Sequence, residues 1–200
     1  MSAAVMSAGS FPASIRRGWR PPRAASPAAE KLRSATGAAN APDEPATSAG
    51  NVGDILSPDG VLLDLQARSK RSVLALIATQ LAMQAGLRSG EVQAALLRRE
   101  RLGPTFIGNG VALPHARIKG LSRPEVVLAR LRDPVSPRTP NGEVVDLVLA
   151  ILWPAHQSGF VPTLARSWRL LRRPGLADDL RRSGSAEEIC ALIRWAEQRP

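Results

Sequence analysis

No tyrosine occurs in this chain, cysteine occurs once, and lysine is confined to Lys31, Lys70 and Lys119. The lone Cys190 excludes a disulfide framework and a thiolate metal set, and it points to a reducing compartment. No apolar run reaches the roughly 18–20 residues that a membrane span requires, so no membrane insertion is expected. No RNA-binding, zinc-finger or basic-zipper signature accompanies the net charge of +10. Arginines supply most of that charge and are scattered along the whole chain. The short clusters Arg98, Arg99, Arg101 and Arg169, Arg172, Arg173 fall on predicted helices and read as solvated faces. Nucleic acid is therefore not expected as a partner, nor is a metal or other cofactor.

Acidic residues are missing before Glu30, and sustained apolar periodicity is missing over residues 1–51. Ala, Ser, Pro, Gly and Arg dominate there, with too little apolar surface to offset the entropy of ordering. The stretch has no apolar segment of the secretory kind. It suits an unstructured extension, a start placed too far upstream or, being Arg- and Ser-rich, an organellar transit peptide. The expected organisation is a tail over 1–51 and a domain over 52–198.

What is present begins near Val52. Pro58-Asp59-Gly60 precedes a short apolar strand, Val61–Leu65. Ser72 is a plausible N-cap for a helix whose stripe is Val73, Leu74, Ile77, Ala78 and Leu81, and Gly86 ends it. Ser89 opens a second helix with Val92, Ala95 and Leu96 inward. Val126–Leu131 and Val144–Trp153 read as strands, the second so continuously apolar that both of its faces should be covered. A helix follows over Val161–Arg172. The last helix carries Ile189, Leu192, Ile193 and Ala196 on one face, behind a capping box of Ser185 and Glu188. Helix pairs alternating with strands indicate an α/β layered domain.

The chemistry is concentrated between Arg99 and Ala116. Gly108-Asn109-Gly110 is a tight turn whose backbone N–H groups could form an anion nest. Val111–Leu113 reads as a short strand. Pro114 cannot donate to a ladder, so it stops that strand and leaves His115 projecting at its end. A neutral imidazole nitrogen near pH 7 is a competent nucleophile.

This stretch resembles the active-site signature of the phosphotransferase-system (PTS) IIA domains of the fructose–mannitol/nitrogen-regulatory type. That pattern runs from an acidic or amide residue through a variable stretch to an apolar and a small residue, then to apolar-Ala-apolar-Pro-His-small. Glu100, Ile107, Gly108, Val111, Ala112, Leu113, Pro114, His115 and Ala116 fill those positions without a gap. Arg99-Glu100 with Gly103, Asp146-Leu147, and Trp153-Pro154-Ala155 are also similar to the family. The likeness extends from Val52 to Glu197.

The resemblance implies a central mixed β-sheet of four or five strands with helices on both faces. It implies that His115 accepts phosphate from a histidine-containing phosphocarrier protein, with Arg99 stabilising the phosphoryl group and Gly108, Asn109 and Gly110 close by as phosphate binders. The transfer partner or signal reader would be a transporter or regulator protein. The chain holds no IIB or membrane IIC segment, which fits the stand-alone nitrogen-regulatory type and a cytoplasmic location. The family's second histidine, however, falls at Phe160, which cannot hydrogen-bond a phosphoryl oxygen. His156, the remaining histidine, is an auxiliary candidate if its loop folds inward. Pro104 and Phe106 also depart from the small polar residues usual there. The expectation is a slowed phosphoacceptor, with a binding-only IIA paralogue as the alternative.

Overall fold

The computed structural model describes residues 50–136 and 143–199. The expected tail therefore lies outside the described residues except for its last two positions. Helix α1 (Val52–Ile55) and a single 3-10 turn at Pro58–Gly60 lead into β1 (Val61–Leu65). Helices α2 (Lys70–Ala85) and α3 (Ser89–Arg101) follow as an antiparallel pair. Three short strands come next: β2 (Phe106–Gly108), β3 (Val111–Ala112) and β4 (His115–Ile118). Two long strands, β5 (Glu125–Val135) and β6 (Val145–Pro154), precede α4 (Phe160–Leu171), α5 (Leu176–Arg182) and α6 (Ala186–Glu197).

The sheet is mixed and six-stranded, in the order β1-β5-β6-β3-β2, with β4 also on β6. Strand β6 is interior: β5 runs antiparallel on one side, β3 and β4 parallel on the other. The expected four or five strands become six because proline interrupts one of them. Val111 pairs with Leu147 and His115 with Ile151, an unchanged register on both sides of Leu113-Pro114. The chain runs on beside β6, and the Pro114 carbonyl still accepts from the Ile151 N–H at 3.0 Å. Pro114 thus breaks the strand without ending its course, and His115 begins β4 instead of capping β3.

Period-2 alternation sorts the β6 side chains onto two faces. Val148, Ala150 and Leu152 join Ile77, Leu81, Val92 and Leu96 in the core under α2 and α3. Leu147, Leu149, Ile151 and Trp153 point the other way and are at most 2% exposed. Phe160 at the head of α4 lies against Trp153, ring centroids 6.1 Å apart. Both faces are therefore buried, as the apolar run of β6 requires.

Ser69, not Ser72, caps α2. Its hydroxyl accepts from the Ser72 N–H at 3.2 Å while Ser72 Oγ accepts from the Ser69 N–H at 3.0 Å, so the helix starts one residue after the true cap. Gly86 ends α2 in the left-handed region, at φ +65°. Ser185 caps α6 through the Glu188 N–H, but the Glu188 carboxylate turns to the Gly184 N–H at 2.8 Å, so the box is only half closed. Helix α1 is tied to α6 by the Val52 and Gly53 N–H groups, which both donate to the Glu197 carboxylate at 2.8 Å.

Candidate functional site

Three elements converge on His115. Strand β4 presents the ring, the last turn of α3 supplies Arg99, and the start of α4 brings Phe160. Leu113, two residues back, offers its carbonyl oxygen to His115 Nδ1 at 2.8 Å. Arg99 Nε donates to His115 Nε2 at 2.9 Å, and Arg99 Nη1 donates to the Gly103 carbonyl at 3.1 Å. An arginine N–H cannot donate to a protonated nitrogen. Nε2 is therefore the lone-pair nitrogen, and Nδ1 carries the proton it gives to Leu113. Burial pushes the His115 pKa below its ordinary value. The Leu113 carbonyl opposes that shift, Arg99 adds to it, and Glu100 opposes it. The imidazole is neutral at pH 7, with its nucleophilic nitrogen defined.

His115 is 9% exposed and borders two surface hollows. One is walled by Arg98, Arg99, Leu102, Arg117 and Phe160. The other is largely apolar and includes Pro104, Phe106, Ile107, Val161, Leu164 and Trp168. Leu102 and Val161 stand 85% and 70% exposed, so an apolar apron lies beside the histidine. Arg172 stacks on Trp168 at 4.7 Å.

Glu100, the first residue of the signature, works below the surface. Its carboxylate accepts from Thr105 Oγ1 at 2.6 Å and from the Thr105 N–H at 3.3 Å, and it pairs with Lys70 Nζ at 2.5 Å. This clasp closes the loop between α3 and β2, on which the Gly103 carbonyl holds Arg99.

The glycine turn is elsewhere. The Gly110 carbonyl accepts from the Asp146 and Leu147 N–H groups at 2.9 and 3.1 Å, where β3 begins. Leu147 and Ile151, the β6 partners of Val111 and His115, are about 13 Å apart at ~3.3 Å per residue. The Asn109 carbonyl accepts from Arg181, which also grips Asp146 with 2.7 and 2.8 Å bonds. Gly108, Asn109 and Gly110 are thus placed as a structural joint between β3, β6 and α5, and the structure does not bring them to the histidine. Sequence proximity misled here, because an extended strand separates its ends fastest of all. His156 is exposed in the turn after β6 and lines neither hollow. The role once open to it, orienting the imidazole, falls to the Leu113 carbonyl.

Sequence reasoning allowed for a backbone carbonyl on the ring without naming Leu113, and it missed the Glu100 clasp and Arg117. The signal for Arg117 was its position two residues after His115, which in a strand puts both side chains on one face. Among the described residues, no group of His, Cys, Asp and Glu could hold a metal ion, and no helix is long and apolar enough to cross a membrane.

The mixed sheet with its flanking helices is also what comparison with solved structures finds. The chain belongs to the "Phosphoenolpyruvate-dependent sugar phosphotransferase system, EIIA 2" family, whose model matches residues 54–195. It is a IIA-type component. Among its relatives, the "Nitrogen regulatory protein" of Bradyrhizobium diazoefficiens is 35% identical over 141 residues, covering 70% of this chain and 92% of that protein. The protein of the same description from Klebsiella oxytoca is 32% identical over 151 residues, 74% of this chain and 93% of its own. The crystal structure of nitrogen regulatory protein IIA-Ntr from Neisseria meningitidis superposes with a TM-score of 0.67 at 29% identity, over 71% of this chain and 98% of that one.

Proposed function

We propose that His115 Nε2 accepts a phosphoryl group from a histidine-containing phosphocarrier protein, and that the phosphorylated chain acts as a regulatory signal. The observation that carries this is the pair of bonds on the ring: Nδ1–H to Leu113 and Nε2 under Arg99. In the transfer, the Nε2 lone pair forms the new bond to phosphorus. The donor's N–P bond breaks, and its electron pair returns to the donor's imidazole. Arg99 leaves Nε2 and turns its guanidinium fork onto the phosphoryl oxygens, where a planar cation matches the charge in transit.

The donor docks over the apolar apron of Leu102, Val161 and Trp168, and the arginines around it favour a partner with acidic groups at its rim. The relatives described as nitrogen regulatory proteins support a signalling role, read by a transporter or regulator, over sugar delivery to a IIB-type partner. The proposed location is the cytoplasm.

A binding-only paralogue is the second reading, motivated by Phe160 where the family carries a histidine. Incubation with phosphoenolpyruvate and the upstream phosphocarriers, followed by phosphohistidine detection, separates the two. Label on the wild type that His115→Ala abolishes is the expected result. An unlabelled wild type, under conditions that label a complete family member, favours the binding-only module.

A further inference from the structure

We propose that Arg117 is a second phosphoryl-binding arginine of this site and supplies the donor that phenylalanine at position 160 cannot. The inference rests on the reading of His115 as phosphoacceptor. His115 and Arg117 are alternate residues of β4, so both side chains leave the same face of the sheet. The Phe160 ring serves both. Its centroid is 5.8 Å from that of the imidazole and 5.9 Å from the Arg117 guanidinium carbon. Trp153 backs the Phe160 ring and is itself fixed by Nε1 donating to the Ser158 carbonyl at 3.1 Å. An aromatic face attracts a cation, so position 160, unable to donate a hydrogen bond, can still hold a guanidinium that does.

The guanidinium is only partly engaged. Arg117 Nη2 donates to the carbonyls of Ala155 and Gln157. Its Nε and Nη1 have no hydrogen-bond partner among the described residues, and the side chain is exposed. Arg99 and Arg117 line the same hollow as His115, with Arg99 reaching it from α3 and Arg117 from β4. A phosphoryl group on Nε2 has three oxygens to be bound. Arg99 can satisfy part of them after leaving the nitrogen, and the unused Nε and Nη1 of Arg117 form a second fork for the rest.

A simpler role for Arg117 is a clamp on the turn at residues 155–157, and the test separates the two. The full chain is phosphorylated with phosphoramidate, a small donor that removes any contribution from protein docking. The histidine lone pair displaces ammonia from phosphorus, so atoms and charge balance without a further reactant. Initial rates are followed by phosphohistidine detection, and the product is titrated by ³¹P NMR. Arg117→Gln should slow labelling by about ten- to a hundred-fold, less than the roughly 10²–10³-fold for removing one buried transition-state donor, because the group is exposed. The loss should fall on the limiting rate constant at saturating phosphoramidate more than on the concentration that gives half of it, and Arg117→Lys should recover part of it. In the Arg117→Gln product the phosphoryl ionisation should move to higher pH, because a cation beside the dianion has been removed. Phe160→Leu should slow labelling less than Arg117→Gln. Phe160→His should not exceed the wild-type rate.

Wild-type rate and an unchanged ³¹P titration in Arg117→Gln would overturn the proposal and leave Arg117 as a clamp. So would slowing in which the titration stays put and thermal stability falls equally in the Gln and Lys variants. A wild type that labels no faster than His115→Ala would overturn the acceptor reading itself, and this inference with it.

Discussion

Removing the Glu100 carboxylate should both loosen the fold and slow the chemistry, in amounts that its three contacts set separately. The side chain is 9% exposed, while its partner Lys70 is 35% exposed. In Glu100→Ala the lysine rehydrates, and an accessible pair of that kind is worth only about 0–1 kcal/mol. Thr105 fares worse. It is 7% exposed and loses the acceptor for both its hydroxyl and its N–H. A buried donor left unsatisfied costs about 1–3 kcal/mol. Two such donors and the ion pair come to about 2–7 kcal/mol, which for a chain of this size lowers Tm by roughly 4–28 °C. Glu100→Gln keeps an acceptor for Thr105 and should cost about half as much. Lys70→Ala should cost under about 1 kcal/mol. Urea melts at constant m, with thermal melts beside them, measure the series. Because the same loop holds the Gly103 carbonyl on Arg99, Glu100→Ala should also slow His115 labelling. A Lys70→Ala loss equal to that of Glu100→Ala would refute the argument, since the ion pair and not Thr105 would then dominate.

Three further outcomes follow from the same structure. Burial holds the His115 pKa below the ordinary histidine value of 6.5, so as the pH falls through 6.5 the unfolded chain takes up the proton first. Stability should therefore be flat above 6.5 and fall below it by at most about 1.4 kcal/mol per pH unit. His115→Gln should lack that component, and wild type and variant losing stability in parallel would contradict the shift. Gly110 sits at φ +75°, where an added Cβ would lie 2.5 Å from Arg181 Nη2 and 2.6 Å from Asp146 Oδ1. Gly110→Ala should cost about 2–4 kcal/mol through strain and the displaced ion pair. Gly108→Ala, at φ +96° with nothing within 4 Å, should cost only about 1–2 kcal/mol, and denaturant melts compare the two. Cys190 is 1% exposed and burial pushes its thiol pKa up. A thiol-disulfide reagent should label it only as fast as the chain opens, and rapid labelling of the native protein would show that α6 is not packed as described.

Local physics wrote much of this fold legibly. The stripes of α2, α3 and α6 were readable because helical periodicity leaves their apolar residues on one face, and each residue named for those stripes is buried. The continuous apolar run of β6 announced an interior strand, since only a strand covered on both faces can afford no polar alternation. Helix α5 escaped notice because Leu176–Arg182 is too short to show a period and carries Asp178, Asp179, Arg181 and Arg182.

At the site, sequence determined which residue is singled out, because the apolar-Ala-apolar-Pro-His run is a local pattern. Only the tertiary structure decided how that histidine is armed. Arg99 reaches Nε2 from sixteen residues away, and Phe160 and Arg117 meet only because the turn after β6 returns the chain to β4. The glycine turn went the other way: it lies close to His115 along the chain and far from it in space, because the segment between them is extended beside β6. Spacing predicts contact within a helix or a tight turn. Across strands and layers, contact depends on register and on which face each side chain leaves, and those are fixed only when the whole sheet has formed.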